Sequence, residues 1–325
     1  PMQQTKSGAQ SSAPAAPEIT EVPAAAYPVM KQKSAFRRFF ITARPYLMVA
    51  PAMAVFILFL IYPIIYMVYL SFFDWNMIGE MKFIGVQNYT DMFADSDFWQ
   101  VLGNSIYYMV MVVILQMALS LLLAAYLNKN TRINRILQTV AFTPYITSMV
   151  SVAFIWMWMM DSDYGLLNYF LSFFGVEPIG WLSDPAVAMN SLVLVSVWKG
   201  LGYNTIIIIS AMQAVPGYLY EAAALDKTPK WKSFLKITLP MISPTIFFLA
   251  LMNIIAALKV FETVNIMTKG GPMNSTNTLV YNIYQYGFQY FEIGYASTLG
   301  VALMVVIGIF TLIYFRVLSR RVYYN

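Results

Sequence analysis

Cysteine and histidine are both absent from the 325 residues, and Asp, Glu, Lys and Arg together make up only 11% of them. Those absences exclude thiol catalysis, imidazole acid–base chemistry and most zinc sites. Lack of cysteine gives no redox compartment, because it is compatible with either side of a membrane. No Gly-x-x-x-x-Gly-Lys-Ser/Thr segment occurs, so the chain has no loop of that kind to cradle nucleotide phosphates. Charge is scarce against the roughly 25% of a soluble domain. Hydrophobic residues fill the gap at 59%. The apolar runs are long and unbroken rather than alternating, which points to membrane-spanning helices and not a barrel.

Between Arg44 and Asp74 lie 29 residues without a formal charge. A spanning helix needs about 20, so this is the first of six expected spans, near Leu47–Phe73. The others are expected near Ser105–Leu127, Ile136–Met160 and Ala188–Ala211, between Lys236 and Lys259, and between Glu292 and Arg316. Pro51, Pro63, Pro144 and Pro244 are expected to kink their helices. Of the 20 Lys and Arg residues, 16 fall in the N-terminal segment, the 128–135 loop, the 212–240 loop and the C-terminus. The positive-inside rule then predicts both termini in the cytoplasm. The net charge of +5 follows from these loops and is no nucleic-acid signature.

The domain division expected is a disordered cytoplasmic tail over 1–44 and a six-span domain over 45–325. The tail is rich in Ala, Pro, Ser and Gln and has too little apolar surface to form a core. No apolar stretch of a secretory signal precedes Leu47. Aromatic residues in the loops, Trp75, Tyr89, Trp99 and Trp181, read as an interfacial belt in preference to a sugar-stacking surface. Thr268-Lys269-Gly270-Gly271-Pro272 predicts a tight turn.

The 212–240 loop predicts a helix–turn–helix elbow. Pro216-Gly217 breaks the fourth helix, and Tyr218–Leu225 is built of good helix formers. Thr228-Pro229 offers an N-cap followed by proline at the first helical position. Trp231, Phe234, Leu235 and Leu239 recur at helical spacing between Lys230, Lys232 and Lys236, which predicts an apolar face toward the rest of the molecule. Two functions stand for such a loop: a docking element for another protein, or a basic amphipathic segment on anionic lipid.

Here the residues resemble a known pattern. Glu221-Ala222-Ala223, Asp226-Lys227 and Ile237-Thr238-Leu239-Pro240 are similar to the Glu-Ala-Ala loop of bacterial ATP-binding-cassette importer permeases, with Lys227 where the family usually has glycine. Thr228-Pro229 is the expected source of the break instead. Phe261–Pro272, Trp198–Tyr203 and Asp163–Asn168 resemble the carbohydrate-uptake subfamily that includes the maltose-type permeases. The resemblance implies an all-α, six-span type I permease fold in the inner membrane. It implies a second permease, in most of the family a different chain, forming the other half of the path, two cytoplasmic ATPase subunits gripping Glu221, Ala222, Ala223, Asp226 and Lys227, and an extracytoplasmic sugar-binding protein. ATP and Mg would be held by the partner ATPase, with no cofactor in this chain.

A polar group in a span faces a path or a partner helix by default. Ser196, Lys199, Gly200 and Tyr203 share one helical face of the fourth span, and Lys259 and Glu262 lie three apart at the end of the fifth. All six are candidates for a substrate path, with Asn204, Trp156 and Trp198 as weaker ones. Other roles for them are a snorkelling Lys199 and a surface ion pair between Lys259 and Glu262. Lysines on a path suit a carboxylated substrate such as an alginate-type oligosaccharide, and Lys and Glu serve neutral hydroxyls equally. An ion-coupled secondary transporter is the alternative class, but no internal repeat of the kind such proteins show is visible. With no His, Cys or acid pair within a span, the inventory for an intramembrane enzyme is thin.

Overall fold

A computed structural model describes residues 35–318, with side chains from 44 to 316. Residues 1–34 of the expected tail lie outside the described residues. Residues 35–44 belong to a helix, in a stretch with no proline or glycine before Pro45. Backbone contacts divide the chain into Pro1–Ile57 and Leu58–Asn325. In the first unit, α1 (Ala35–Phe56) contains Pro45 and Pro51.

A wide-turn segment, Ile57–Ile61, starts on the last residue of the first unit; the second unit holds α2 (Tyr62–Leu70), with Pro63 in its first turn. A two-stranded antiparallel ribbon follows, β1 (Phe73–Asp74) on β2 (Lys82–Phe83), and then α3 (Gln87–Ala94). The remaining helices are α4 (Ser96–Leu127), α5 (Arg132–Ile146), α6 (Met149–Met159), α7 (Leu166–Ser172) and α8 (Pro185–Gln213). After them come α9 (Gly217–Leu225), α10 (Lys230–Ser233), α11 (Leu239–Met241), α12 (Ser243–Leu258), α13 (Glu262–Met267), α14 (Leu279–Tyr284) and α15 (Ile293–Leu318).

Among the described residues, five helical runs are long and apolar enough to cross a membrane: Arg44–Leu70, Ser96–Leu127, Pro185–Gln213, Ser243–Met267 and Ile293–Arg316. The third expected span corresponds to α5 and α6, a pair bent by 99° that makes a sixth crossing when the two are taken as one span. The straight helix expected over Ile136–Met160 is therefore two helices. Pro144 has no N–H to give and crowds the carbonyl four residues back, and the helix ends two residues later. Two starts are earlier than expected because acids cap them. Asp95 accepts from the Asp97 N–H at the head of α4, and Asp184 accepts from the Ala186 N–H at the head of α8, where Pro185 fits the first turn.

Helix α8 is the centre of the unit, packed on α4, α5, α12 and α13. Two glycines allow the close approach. A Cβ on Gly200 would overlap the Gln116 side chain of α4, and one on Gly202 would overlap the Ala141 carbonyl of α5. The Ser120 hydroxyl donates to the Leu201 carbonyl across the same α4–α8 contact at 3.2 Å. One apolar cluster, with Ile208, Met212 and Leu249, lies at the elbow end. Another, with Trp156, Leu192 and Leu258, lies toward the opposite end.

The turn expected at Thr268–Pro272 is present, with Lys269 and Gly270 at φ 52° and 79°. Gln100 and Asn104 of α4 donate to the carbonyls of Met273, Asn274 and Asn277 just beyond it. The loop aromatics are more engaged than a belt requires. Trp181 Nε1 donates to Asn168 at 2.9 Å, and the Tyr89 and Ser71 hydroxyls meet at 2.7 Å.

Candidate functional site

The six residues singled out in the fourth and fifth spans line one cavity of about 580 Å³. Ser196, Lys199, Gly200 and Tyr203 come from α8. Lys259 and Glu262 come from the break between α12 and α13. Helical spacing does not account for the second pair, because Lys259 ends one helix and Glu262 begins the next. The sequence missed Tyr108 and Gln116 of α4, Tyr145 of α5 and Asn253 of α12, which line the same space. A polar amide within an apolar run, as at Gln116 and Asn253, is the signal that could have found two of them.

Among the described residues no acid lies within bonding distance of Lys199. Its Nζ donates to the backbone carbonyls of Thr147 at 2.6 Å and of Pro144 and Tyr145 at 3.2 Å. The Tyr145 ring lies on the Tyr203 ring, with centroids 4.4 Å apart and planes 14° apart. The hydroxyls of Tyr108 and Ser196 meet at 2.6 Å. Asn204 is fully buried. Its side chain accepts from Asn253 Nδ2 at 3.2 Å and donates to the Gly200 carbonyl, tying α12 to α8 beside the cavity. Trp156 and Trp198 pack edge to face at 5.5 Å and do not line it.

The elbow is formed by α9, α10 and the wide-turn segment Phe234–Thr238. Helix α9 ends in a Schellman closure. The Thr228 N–H reaches the Ala223 carbonyl at 2.9 Å, and the Lys227 N–H reaches Ala224 at 3.0 Å. Lys227 has φ 53°, so it adopts the left-handed conformation that a glycine would take without strain. The break thus occurs at Lys227 itself. Thr228 does not cap α10; Pro229 occupies that position.

Ala223 is buried, whereas Glu221, Ala222, Asp226 and Lys227 are exposed. The apolar face expected from Trp231, Phe234, Leu235 and Leu239 is divided. Ser233 and Thr238 are buried, while Trp231 in α10 and Leu235 in the wide turn are exposed. Tyr218 and Leu225, the latter 86% exposed, are exposed too, as are Lys227, Lys230 and Lys232. Met212, Tyr220, Ala224, Phe234 and Thr238, among others, line a cavity of about 480 Å³.

At the opposite end, Asp74, Asp91, Asp95, Tyr286 and Glu292 line a further cavity of about 420 Å³. Burial, then the Asp95 charge, push the Tyr286 phenol up from its ordinary value.

Residues 116–324 match the family described as binding-protein-dependent transport system inner membrane component. The chain is 33% identical to the lactose transport system permease protein LacF of Rhizobium radiobacter, over 89% of this chain and 98% of the relative. It is 30% identical to the trehalose/maltose transport system permease protein MalF of Thermococcus litoralis, over 84% and 92%. To the sn-glycerol-3-phosphate transport system permease protein UgpA of Escherichia coli it is 31% identical, over 86% and 96%. Among solved structures, it is similar to a chain of a bacterial ABC transporter involved in the import of the acidic polysaccharide alginate. There the TM-score is 0.77 at 23% identity, covering 90% of this chain and all of that one. At that identity the likeness establishes the fold alone.

Proposed function

This chain belongs to the family of binding-protein-dependent transport system inner membrane components, and on that premise we propose that it is one permease subunit of an ATP-driven sugar importer. It forms half of the path, and a second permease forms the other half. Two cytoplasmic ATPase subunits, which bind the ATP and Mg, dock on the two elbows. An extracytoplasmic binding protein delivers the sugar. The names of the lactose and trehalose/maltose relatives support a carbohydrate cargo. Both termini and the elbow lie in the cytoplasm, as the distribution of basic residues favours.

The observation that carries this reading is one polar cavity among apolar spans, lined by Ser196, Lys199, Gly200, Tyr203, Lys259 and Glu262. A path for a hydroxyl-rich molecule needs such groups, and lipid-facing helix surfaces do not. Lys259 and Glu262 offer the sugar a donor and an acceptor of opposite charge, and Tyr145 and Tyr203 offer ring faces.

The elbow supplies the coupling. Glu221, Ala222, Asp226 and Lys227 are exposed for contact with the ATPase, and Ala223 seats α9 on the permease. Closure of the ATPases moves the elbow as a body, and that movement passes to α8 and α12, between which the elbow is inserted.

The test is reconstitution with and without the ATPase subunits. The chain alone hydrolyses no ATP, and sugar uptake requires the full assembly. Glu221→Lys lowers ATPase binding or sugar-stimulated hydrolysis while the chain still folds. Lys259→Met and Glu262→Gln lower uptake in assembled complexes. Normal stimulated hydrolysis by the Glu221 variant would overturn the docking role, and unchanged uptake kinetics would overturn the path.

A further inference from the structure

A charged lysine Nζ has three hydrogens to donate and no lone pair to accept with. Lys199 has three acceptors, the carbonyls of Pro144, Tyr145 and Thr147. Pro144 and Tyr145 are in the last turn of α5 and Thr147 is the residue that follows it, where the third span bends by 99° into α6. The last carbonyls of any helix lack intrahelical partners, and within a membrane no water replaces them at low cost. A cation at a helix C-terminus also complements the negative end of the helix dipole.

Two residues beside this break line the cavity: Tyr145, next to last in α5, and Met149, the first of α6. Tyr203, one turn beyond Lys199 on α8, stacks on Tyr145. Helix α8 therefore holds the end of α5 twice, by a cation on its carbonyls and by a ring on its tyrosine.

We propose that Lys199 is a positioning residue that caps the break of the bent span and holds Tyr145 and Met149 in the cavity wall, and that it is not a ligand for the transported molecule. The proposal rests on the cavity being the transport path. It narrows the chemistry of that path, because the charged groups of the described lining left free to bond a substrate are Lys259 and Glu262, one of each sign, while Lys199 contributes its charge without a contact.

The chain contains no cysteine, so Met149→Cys gives a unique reporter at the break. In the complete importer, without sugar or nucleotide, its rate of modification by a small water-soluble methanethiosulfonate is measured with Lys199 and with Lys199→Met. Loss of the cap frees the segment, and labelling accelerates by about tenfold or more. Equal rates overturn the proposal, because a lysine that only binds substrate leaves the empty protein unchanged.

Should Lys199→Met fail to assemble, Lys199→Cys in the parental chain is alkylated with 2-bromoethylamine, which rebuilds a lysine-like ammonium, or with iodoethane, which extends the side chain without a hydrogen-bond donor. Modification is verified by mass. Recovery of the parental thermal midpoint with the amine alone supports the cap; recovery with both reagents or with neither overturns it. Neither measurement depends on uptake, so failure here is distinguishable from failure of the transport function.

Discussion

The Tyr220 hydroxyl lies 2.8 Å from that of Thr238 and ties the first limb of the elbow to the last turn of the second. Both residues line the same cavity. Tyr220→Phe removes one partner and leaves the Thr238 hydroxyl unpaired, at a cost of about 1 kcal/mol. The expected outcome is a lower thermal midpoint and, under the proposed coupling, weaker sugar stimulation of ATPase activity in the assembled importer. Thermal unfolding and stimulated hydrolysis of the same preparation check both.

Lys227 carries the left-handed turn that closes α9. A residue with a Cβ is strained there by roughly 1 kcal/mol relative to glycine. Lys227→Gly should therefore raise stability by about 1 kcal/mol, and Lys227→Val should lower it, because a β-branched side chain tolerates positive φ least. Thermal unfolding of the two variants should bracket the parent.

Gly202 lets α8 approach the α5 backbone. The obstruction to a Cβ is a backbone carbonyl, so no rotamer change relieves it. Gly202→Ala should separate α5 from α8 and cost about 3 kcal/mol, with loss of assembled complex in size-exclusion chromatography. Gly217, with nothing near its Cβ position, is the control, and Gly217→Ala should leave the elution profile unchanged.

Asn168 uses its whole side chain to close the loop between α6 and α8. It donates to the carbonyls of Ser162 and Ile179 and accepts from the Ile179 N–H and Trp181 Nε1. Asn168→Ala leaves these groups unpaired and should cost about 2 kcal/mol. Faster proteolysis between Phe173 and Trp181 would report it, while Asn168→Asp, which keeps the acceptors, should be cut more slowly than the alanine variant.

Much of the site was legible from composition. An amide, hydroxyl or ammonium inside an apolar run stands out because lipid cannot satisfy it, and that reasoning led to Ser196, Lys199 and Tyr203 directly. It was incomplete where a residue's role depends on a distant backbone. Nothing near Lys199 in sequence indicates the carbonyls of Pro144, Tyr145 and Thr147. Lys259 and Glu262 share the cavity although a helix break, not a helical face, joins them. At the elbow, spacing assigned Trp231 and Leu235 to the inner face, yet both are exposed, and the wide turn at Phe234–Thr238 breaks the helical spacing from which Leu235 was placed.

By itself the sequence determined the class, the approximate spans and the elbow between the fourth and fifth of them, since hydropathy and charge are local quantities set by each residue's own transfer into lipid. The tertiary structure alone decided the bend of the third span, the partners of Lys199 and the gathering of six residues around one cavity. Those depend on which carbonyls a bent backbone leaves unpaired and which neighbouring helix lies close enough to reach them.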